Sequence, residues 1–340
     1  WSFEIFTIDK LPEYKSAVNE ELKESFSGRD GFLYDLLRYH LGWTDQYGQT
    51  QDALVDIRFQ SMLALCAADL MSGDIEPALP IAAAVQLICD FMDVHGEVQA
   101  GRVGSDVERP TIWWIWGPAQ AINAGDGLHA LARSAMMRLS TRSIEPSKIL
   151  ESVRLLDNTC LTLCEGQYID LTFQDQVMIR SSDYVEMVSK KSGSLSGCSA
   201  KLGALVSGSS RDACAAIEEF GIKLGIAWQL KRDVDGLWGD LGNGITPDNL
   251  LNKKKTLPLI HALETGSTAV KREITGIYMK RVLEPSDISR VLELLDEVDA
   301  KSNALQVIDG ILDEAGKSML SCGVDSAKTD ELIDWVIGNN

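Results

Sequence analysis

The chain has 340 residues, of which 45% are hydrophobic and 24% charged, a globular balance with enough length to bury a large core. Its 32 basic and 50 acidic side chains leave a formal net charge of −18, a field that repels polyanions and argues against a general nucleic-acid or anionic-membrane binder. Any phosphorylated ligand would therefore need a local cluster of cations.

The seven cysteines, at positions 66, 89, 160, 164, 198, 214 and 322, contain no C-x-x-C pair. Such an odd, scattered set predicts reduced thiols and a cytoplasmic setting rather than a disulfide framework or a zinc site. The histidines at 40, 95, 129 and 261 have no metal-ligand spacing, and no signal peptide is expected at the start. The most apolar stretch, Leu79 to Val94, carries Gln86, Asp90 and Asp93 and is not expected to span a membrane.

Helical periodicity dominates, with apolar residues at i, i+3, i+4 and i+7. It predicts helices over 51–72, 80–97, 112–139, 147–174, 183–207, 211–239, 267–281 and 286–320. Pro146 and Pro285 sit where first helical turns are expected, and Ser72-Gly73-Asp74 reads as a stop. No convincing strand and no interdomain linker is found, so the expected organisation is a single all-α domain over 1–340. Two Gly-containing polar loops, 98–109 and 239–252, each follow a helix with acidic residues near its end, as at the mouth of a helical bundle.

Asp90, Asp93 and Glu97 lie at i, i+3 and i+7 on one helical face, and spacing alone favours a solvated acidic stripe. Asp233, Asp235 and Asp240 beside Lys231 and Arg232 suit a surface ion-pair helix equally well. The run Lys253-Lys254-Lys255 before Thr256-Leu257-Pro258 is a solvated helix start or an anion site.

The order and wording of six segments resembles the trans-isoprenyl diphosphate synthases, the polyprenyl synthetase family, over roughly 50–265. They are AAAVQLIC (82–89), PTIWWIWGPAQAINAGDGLHALA (110–132), CEGQYIDL (164–171), YVEMVSKKSGSLSGCSAKLGALVSG (184–208), LGIAWQLKRDVDGLWGDL (224–241) and KKKTLPLIHALE (253–264). The resemblance implies an isoprenoid-synthase helical bundle around a deep apolar central cavity, homodimeric or paired with a related synthase. It implies a prenyl diphosphate substrate, and two facing aspartate motifs whose Mg²⁺ ions grip the departing diphosphate. Carried over position by position, it nominates Lys191, Ser192, Gln229 and Asp233 for catalysis. Substrate-binding positions are Arg58, Phe91, His95, Arg109, Gln167, Arg232 and Lys254. Metal ligands would come from Glu97, Asp93 and Asp233.

The sequence departs from the family where metal would sit. After His95 the first motif reads Gly96-Glu97-Val98-Gln99-Ala100, which leaves Glu97 alone, and the second begins Arg232-Asp233. The acceptor segment reads Asp56-Ile57-Arg58-Phe59-Gln60-Ser61, with Arg58 its one remaining cation, and Cys89 stands where the family has histidine. With both motifs degenerate, the implied Mg²⁺ has few ligands left. The expected function is a divergent enzyme acting on an allylic prenyl diphosphate, either a class I terpene synthase or an unusual prenyltransferase. Asp90 and Asp93 would then supply relocated ligands. The alternatives are a non-catalytic partner subunit of a heteromeric synthase, a non-catalytic binder of apolar ligands and an ordinary chain-elongating synthase. For Asp126 the expectation is a buried hydrogen-bonding residue, and for Trp113, Trp114 and Trp116 a packing role.

Overall fold

A computed structural model describes residues 7–51, 55–101, 109–174, 176, 178–239, 250 and 254–338. The first ten helices are α1 (Leu11–Ser25), α2 (Phe32–His40), α3 (Phe59–Ser72), α4 (Leu79–Ala100), α5 (Ile112–Trp116), α6 (Pro118–Met137), α7 (Pro146–Gln174), α8 (Ser181–Val188), α9 (Ser194–Val206) and α10 (Arg211–Trp238). They are followed by α11 (Leu257–Thr265), α12 (Thr268–Tyr278), α13 (Pro285–Asp296), α14 (Ala300–Ser321) and α15 (Ser326–Gly338). The fold is all-α: among the described residues, extended pairing is limited to an isolated bridge between Thr44 and Thr50.

Several helices differ from the pattern read in the sequence. The segment expected to be helical over 112–139 is broken at Gly117, which holds φ 82° and ψ 167°, and Pro118 opens α6. The proline ring disfavours helical backbone in the residue before it and supplies no N–H, so apolar spacing runs on while the helix does not. The expected 286–320 helix is two, α13 and α14, separated at Asp299 with φ 52°. The helix expected from residue 51 starts at Phe59. Lys190 and Lys191 lie in a π turn, Ser189–Gly193, that joins α8 to α9.

The chain forms two compact units, Trp1–Cys160 with Cys198–Glu218, and Leu161–Gly197 with Glu219–Asn340. In the first, α4 packs along α6 and against α3 and α1. Every residue from Leu79 to Asp90 is buried, as expected of a helix apolar on all sides. The stretch Glu76–Ala100 is long and apolar enough to cross a membrane by composition, yet 83% of its apolar window is buried, which makes it a core helix. Gly203 lets α9 meet α3 closely, since a Cβ there would lie 2.1 Å from the Ala64 carbonyl oxygen.

The second unit has two apolar clusters. One is built from α11, α12, α13 and the end of α10 and includes Leu259, Ile274, Val291, Leu294 and Leu295. The other joins Met187 and Val188 of α8 to Ala227 and Leu230 of α10 and to Ile308 of α14. Packing on the second cluster fixes the α8 and α10 faces that carry the polar residues described next. All seven cysteines are free, and Cys164 is exposed.

Candidate functional site

In the second unit, α7, α8, the π turn, α10 and the segment leading into α11 bring five nominated side chains together with two that were not nominated. Lys191, Gln229, Asp233 and Lys254 line a shallow recess, joined by Asp170 and Tyr184. Tyr184 lies seven residues before Lys191 and Asp233 four after Gln229, so helical spacing aims each pair the same way. Gln229 Nε2 donates to Asp233 Oδ1 at 3.1 Å and Ser192 Oγ donates to Gln229 Oε1 at 3.3 Å. The Tyr184 hydroxyl donates to Asp233 and the Lys191 ammonium to Asp170, both in short contacts.

Two glycines hold the π turn in place. A Cβ on Gly166 of α7 would lie 2.8 Å from the Lys191 backbone nitrogen, and one on Gly225 of α10 would lie 2.7 Å from the Ser192 carbonyl oxygen. The Glu165-Gly166-Gln167 element therefore has a packing reason: only glycine lets α7 approach the turn that bears Lys191. Gln167 itself is half-buried and is not among the residues that line the recess. Arg232 also lies apart from the lining, exposed, with its guanidinium 4.8 Å from the Trp228 ring centroid.

Asp233 is 4% exposed, and burial pushes its carboxyl up to about 6, with partial relief from Tyr184, Gln229 and the Lys254 charge. Burial and the Asp233 charge push the Tyr184 phenol up as well. Asp233 is thus a buried acceptor committed to two protein donors.

In the first unit, the Arg58 guanidinium donates to Asp93 Oδ2 at 2.8 Å and to Asp56 Oδ2 at 3.2 Å. Burial lowers the Arg58 pKa, but Asp93 and Asp56 outweigh it and raise the value. Phe91 meets His95 edge-on, ring centroids 4.8 Å apart, and packs at a tilt against His129 at 5.1 Å. His95 Nε2 lies 3.0 Å from the Ile122 carbonyl, and its ring fills the space a Cβ would need on Gly125. Arg109 donates to the Thr44 carbonyl at 2.9 Å and sits 4.3 Å from the Tyr39 ring centroid. Asp126 is exposed, not buried as expected, because it falls on the solvent face of α6 beside His95, 3.8 Å away. Trp114 is 49% exposed, whereas Trp116 packs edge-on against Tyr39.

The first unit also pairs Asp90 with His40, a partner that sequence reading passed over. Asp90 Oδ1 accepts from Gln86 Nε2 at 3.2 Å and lies 3.5 Å from His40 Nε2. Burial lowers the His40 pKa, but the Asp90 hydrogen bond and the charges of Asp90, Glu97 and Asp93 more than reverse it. The missed signal was pairing across 50 residues, between His40 and Asp90, which no local spacing encodes.

Among the described residues, the nominated carboxylates are not arranged as a Mg²⁺ donor set. Among the described residues no group of three His, Cys, Asp or Glu side chains is placed to hold a metal ion. Asp93 is held by Arg58, Asp90 by Gln86 and Asp233 by Tyr184 and Gln229. A cation that demands octahedral oxygen ligands would have to break each of these bonds first.

The fold is all-helical, with a polar, lysine-bearing recess beside the hydrogen-bonded pair Gln229 and buried Asp233. Comparison with known proteins shows which class of helical protein this is. The polyprenyl synthetase family model matches residues 57–295, and the chain belongs to that family. It is 35% identical over 266 residues to geranylgeranyl diphosphate synthase of Mycobacterium tuberculosis, covering 77% of this chain and 74% of that one. It is 31% identical over 284 residues to a short chain isoprenyl diphosphate synthase of Methanocaldococcus jannaschii, covering 82% and 80% respectively. A polyprenyl synthetase from Streptomyces coelicolor shares the fold, with TM-score 0.86 at 24% identity over 97% of this chain and 99% of that one.

Proposed function

We propose that this protein is an isoprenoid-biosynthetic enzyme that binds an allylic prenyl diphosphate in the second unit and promotes departure of the diphosphate without the family's two-motif metal grip. The observation that carries the reading is the convergence of Lys191 and Lys254 on a recess shared with Gln229 and Asp233, in a chain of net charge −18 where cations are otherwise outnumbered. Ammonium groups neutralise the charge that builds on a departing diphosphate. Lys191 would exchange its Asp170 partner for a phosphate oxygen, and Lys254 would face the same group. Gln229, oriented by Ser192 and Asp233, would present its amide to the allylic cation or its leaving group. Mg²⁺ is general in the family, and the loss of carboxylates here speaks for little dependence on it. Either a terpene synthase or an unusual prenyltransferase would use this chemistry. The relatives' names favour a second reading, ordinary chain elongation, and a non-catalytic partner subunit in a homo- or heterodimer is the third.

Purified protein incubated with C10, C15 and C20 allylic diphosphates, with and without isopentenyl diphosphate and Mg²⁺, separates these. Diphosphate release with a hydrocarbon or alcohol product from one substrate alone is expected. Longer diphosphates formed only with isopentenyl diphosphate would establish elongation instead. Lys191→Ala should slow release by roughly 100-fold, the scale of losing one charged transition-state contact. Wild-type rates in Lys191→Ala and Lys254→Ala would remove the recess from the chemistry.

A further inference from the structure

We infer that Asp56 and Asp93 are specificity-determining residues: they clamp Arg58 between two carboxylates and so close the first unit's remaining acceptor-segment cation to any anionic second substrate.

The backbone that carries Arg58 is fixed by a buried side chain. Gln86 is fully buried on α4, and its Oε1 accepts from the Arg58 backbone N–H at 2.8 Å while its Nε2 reaches the Asp56 carbonyl at 3.4 Å. One buried amide thus pins the backbone on both sides of Ile57 and sets where Arg58 leaves the chain at the start of α3. Asp93 lies two turns further along α4 than Gln86, which brings its carboxylate to the guanidinium at 2.8 Å. Asp56 takes a second edge at 3.2 Å. Two carboxylates on one guanidinium leave a local charge of −1, and Asp90 adds to the negative field at Arg58. Arg109, the other nominated cation of this unit, is occupied by the Thr44 carbonyl and the Tyr39 ring.

An incoming diphosphate would have to displace both carboxylates from Arg58 and remain beside them. Like charges at hydrogen-bond range from a half-exposed cation each weaken anion binding by ~10-fold. A neutral second reactant, water or the prenyl chain's own double bond, meets no such barrier. The inference rests on the proposed function for its consequence, that a single diphosphate substrate is consumed. Its test reads binding rather than turnover, so the two fail independently.

Isopentenyl diphosphate binding is measured by titration calorimetry at fixed ionic strength on the full chain, comparing wild type with Asp56→Asn, Asp93→Asn and the double variant. Both aspartates are substantially exposed, at 83% and 46% of their side chains, so the isosteric amides should fold, as a thermal melt would verify. The double variant is expected to bind at least ~10-fold more tightly than wild type, and Arg58→Ala in that background to abolish the gain. Equal affinity in wild type and the double variant would overturn the inference. So would a gain that survives Arg58→Ala, since binding would then lie elsewhere, as at the lysine recess.

Discussion

Asp233 carries the largest consequence of any one residue in the second unit. Its carboxyl sits at about 6 in the fold against 3.8 for the free side chain, because burial outweighs two hydrogen bonds. Between those values the native state binds the proton that the unfolded state has released, so stability falls as pH rises through that window. Asp233→Asn should flatten the pH dependence of the urea midpoint between about 4 and 6, a difference on the order of 2 kcal/mol. An unchanged slope in the variant would mean that another group titrates there. A steric prediction concerns His95, whose ring would lie 2.2 Å from a Cβ on Gly125. Gly125→Ala should destabilise by about 1–3 kcal/mol. Truncation of the ring in His95→Ala/Gly125→Ala should recover part of that loss in a double-mutant cycle. Sequence reading placed His95 on the right helix but could not tell a pocket-lining ring from one packed on its neighbour. The deciding contact comes from α6, some 30 residues away.

Among the elements, the π turn Ser189–Gly193 does most to shape the recess, and its support is a pair of glycines on other helices. Gly166→Ala would press a methyl group against the Lys191 backbone nitrogen from 2.8 Å. We expect a loss of about 1–3 kcal/mol in stability. Affinity for an allylic diphosphate analogue should also weaken, because Lys191 is displaced; calorimetry on the folded variant would read this directly. Unaltered affinity would separate the turn's packing from binding. The Lys191-Ser192 pair was legible as a motif, whereas its π geometry was not, since apolar spacing barely changes when one residue is inserted into a helical turn. The same blindness hid the breaks at Gly117 and Asp299, where the apolar pattern continues while the backbone changes direction.

For the whole molecule, the net charge of −18 opposes the approach of any diphosphate, and the lysines of the recess act only at short range. The association rate constant for an allylic diphosphate analogue should therefore rise as salt is added from ~0.01 to ~0.15 M, the reverse of electrostatic steering. A rate that falls with salt in stopped-flow measurements would show that the local cations dominate the field. The family, the helical class and four of the residues that line the second unit's recess, Lys191, Gln229, Asp233 and Lys254, were already legible in the sequence. Those depend on local spacing and on ordered segments, which a linear string preserves. Tertiary structure decided the state of each charged group. Arg58 is bound by Asp56 and Asp93, Lys191 by Asp170, and Asp233 is held inward by Tyr184. Apart from Asp56, those partners come from distant turns or separate helices, and a carboxylate's availability to metal or substrate depends on which donors the packing has already placed against it.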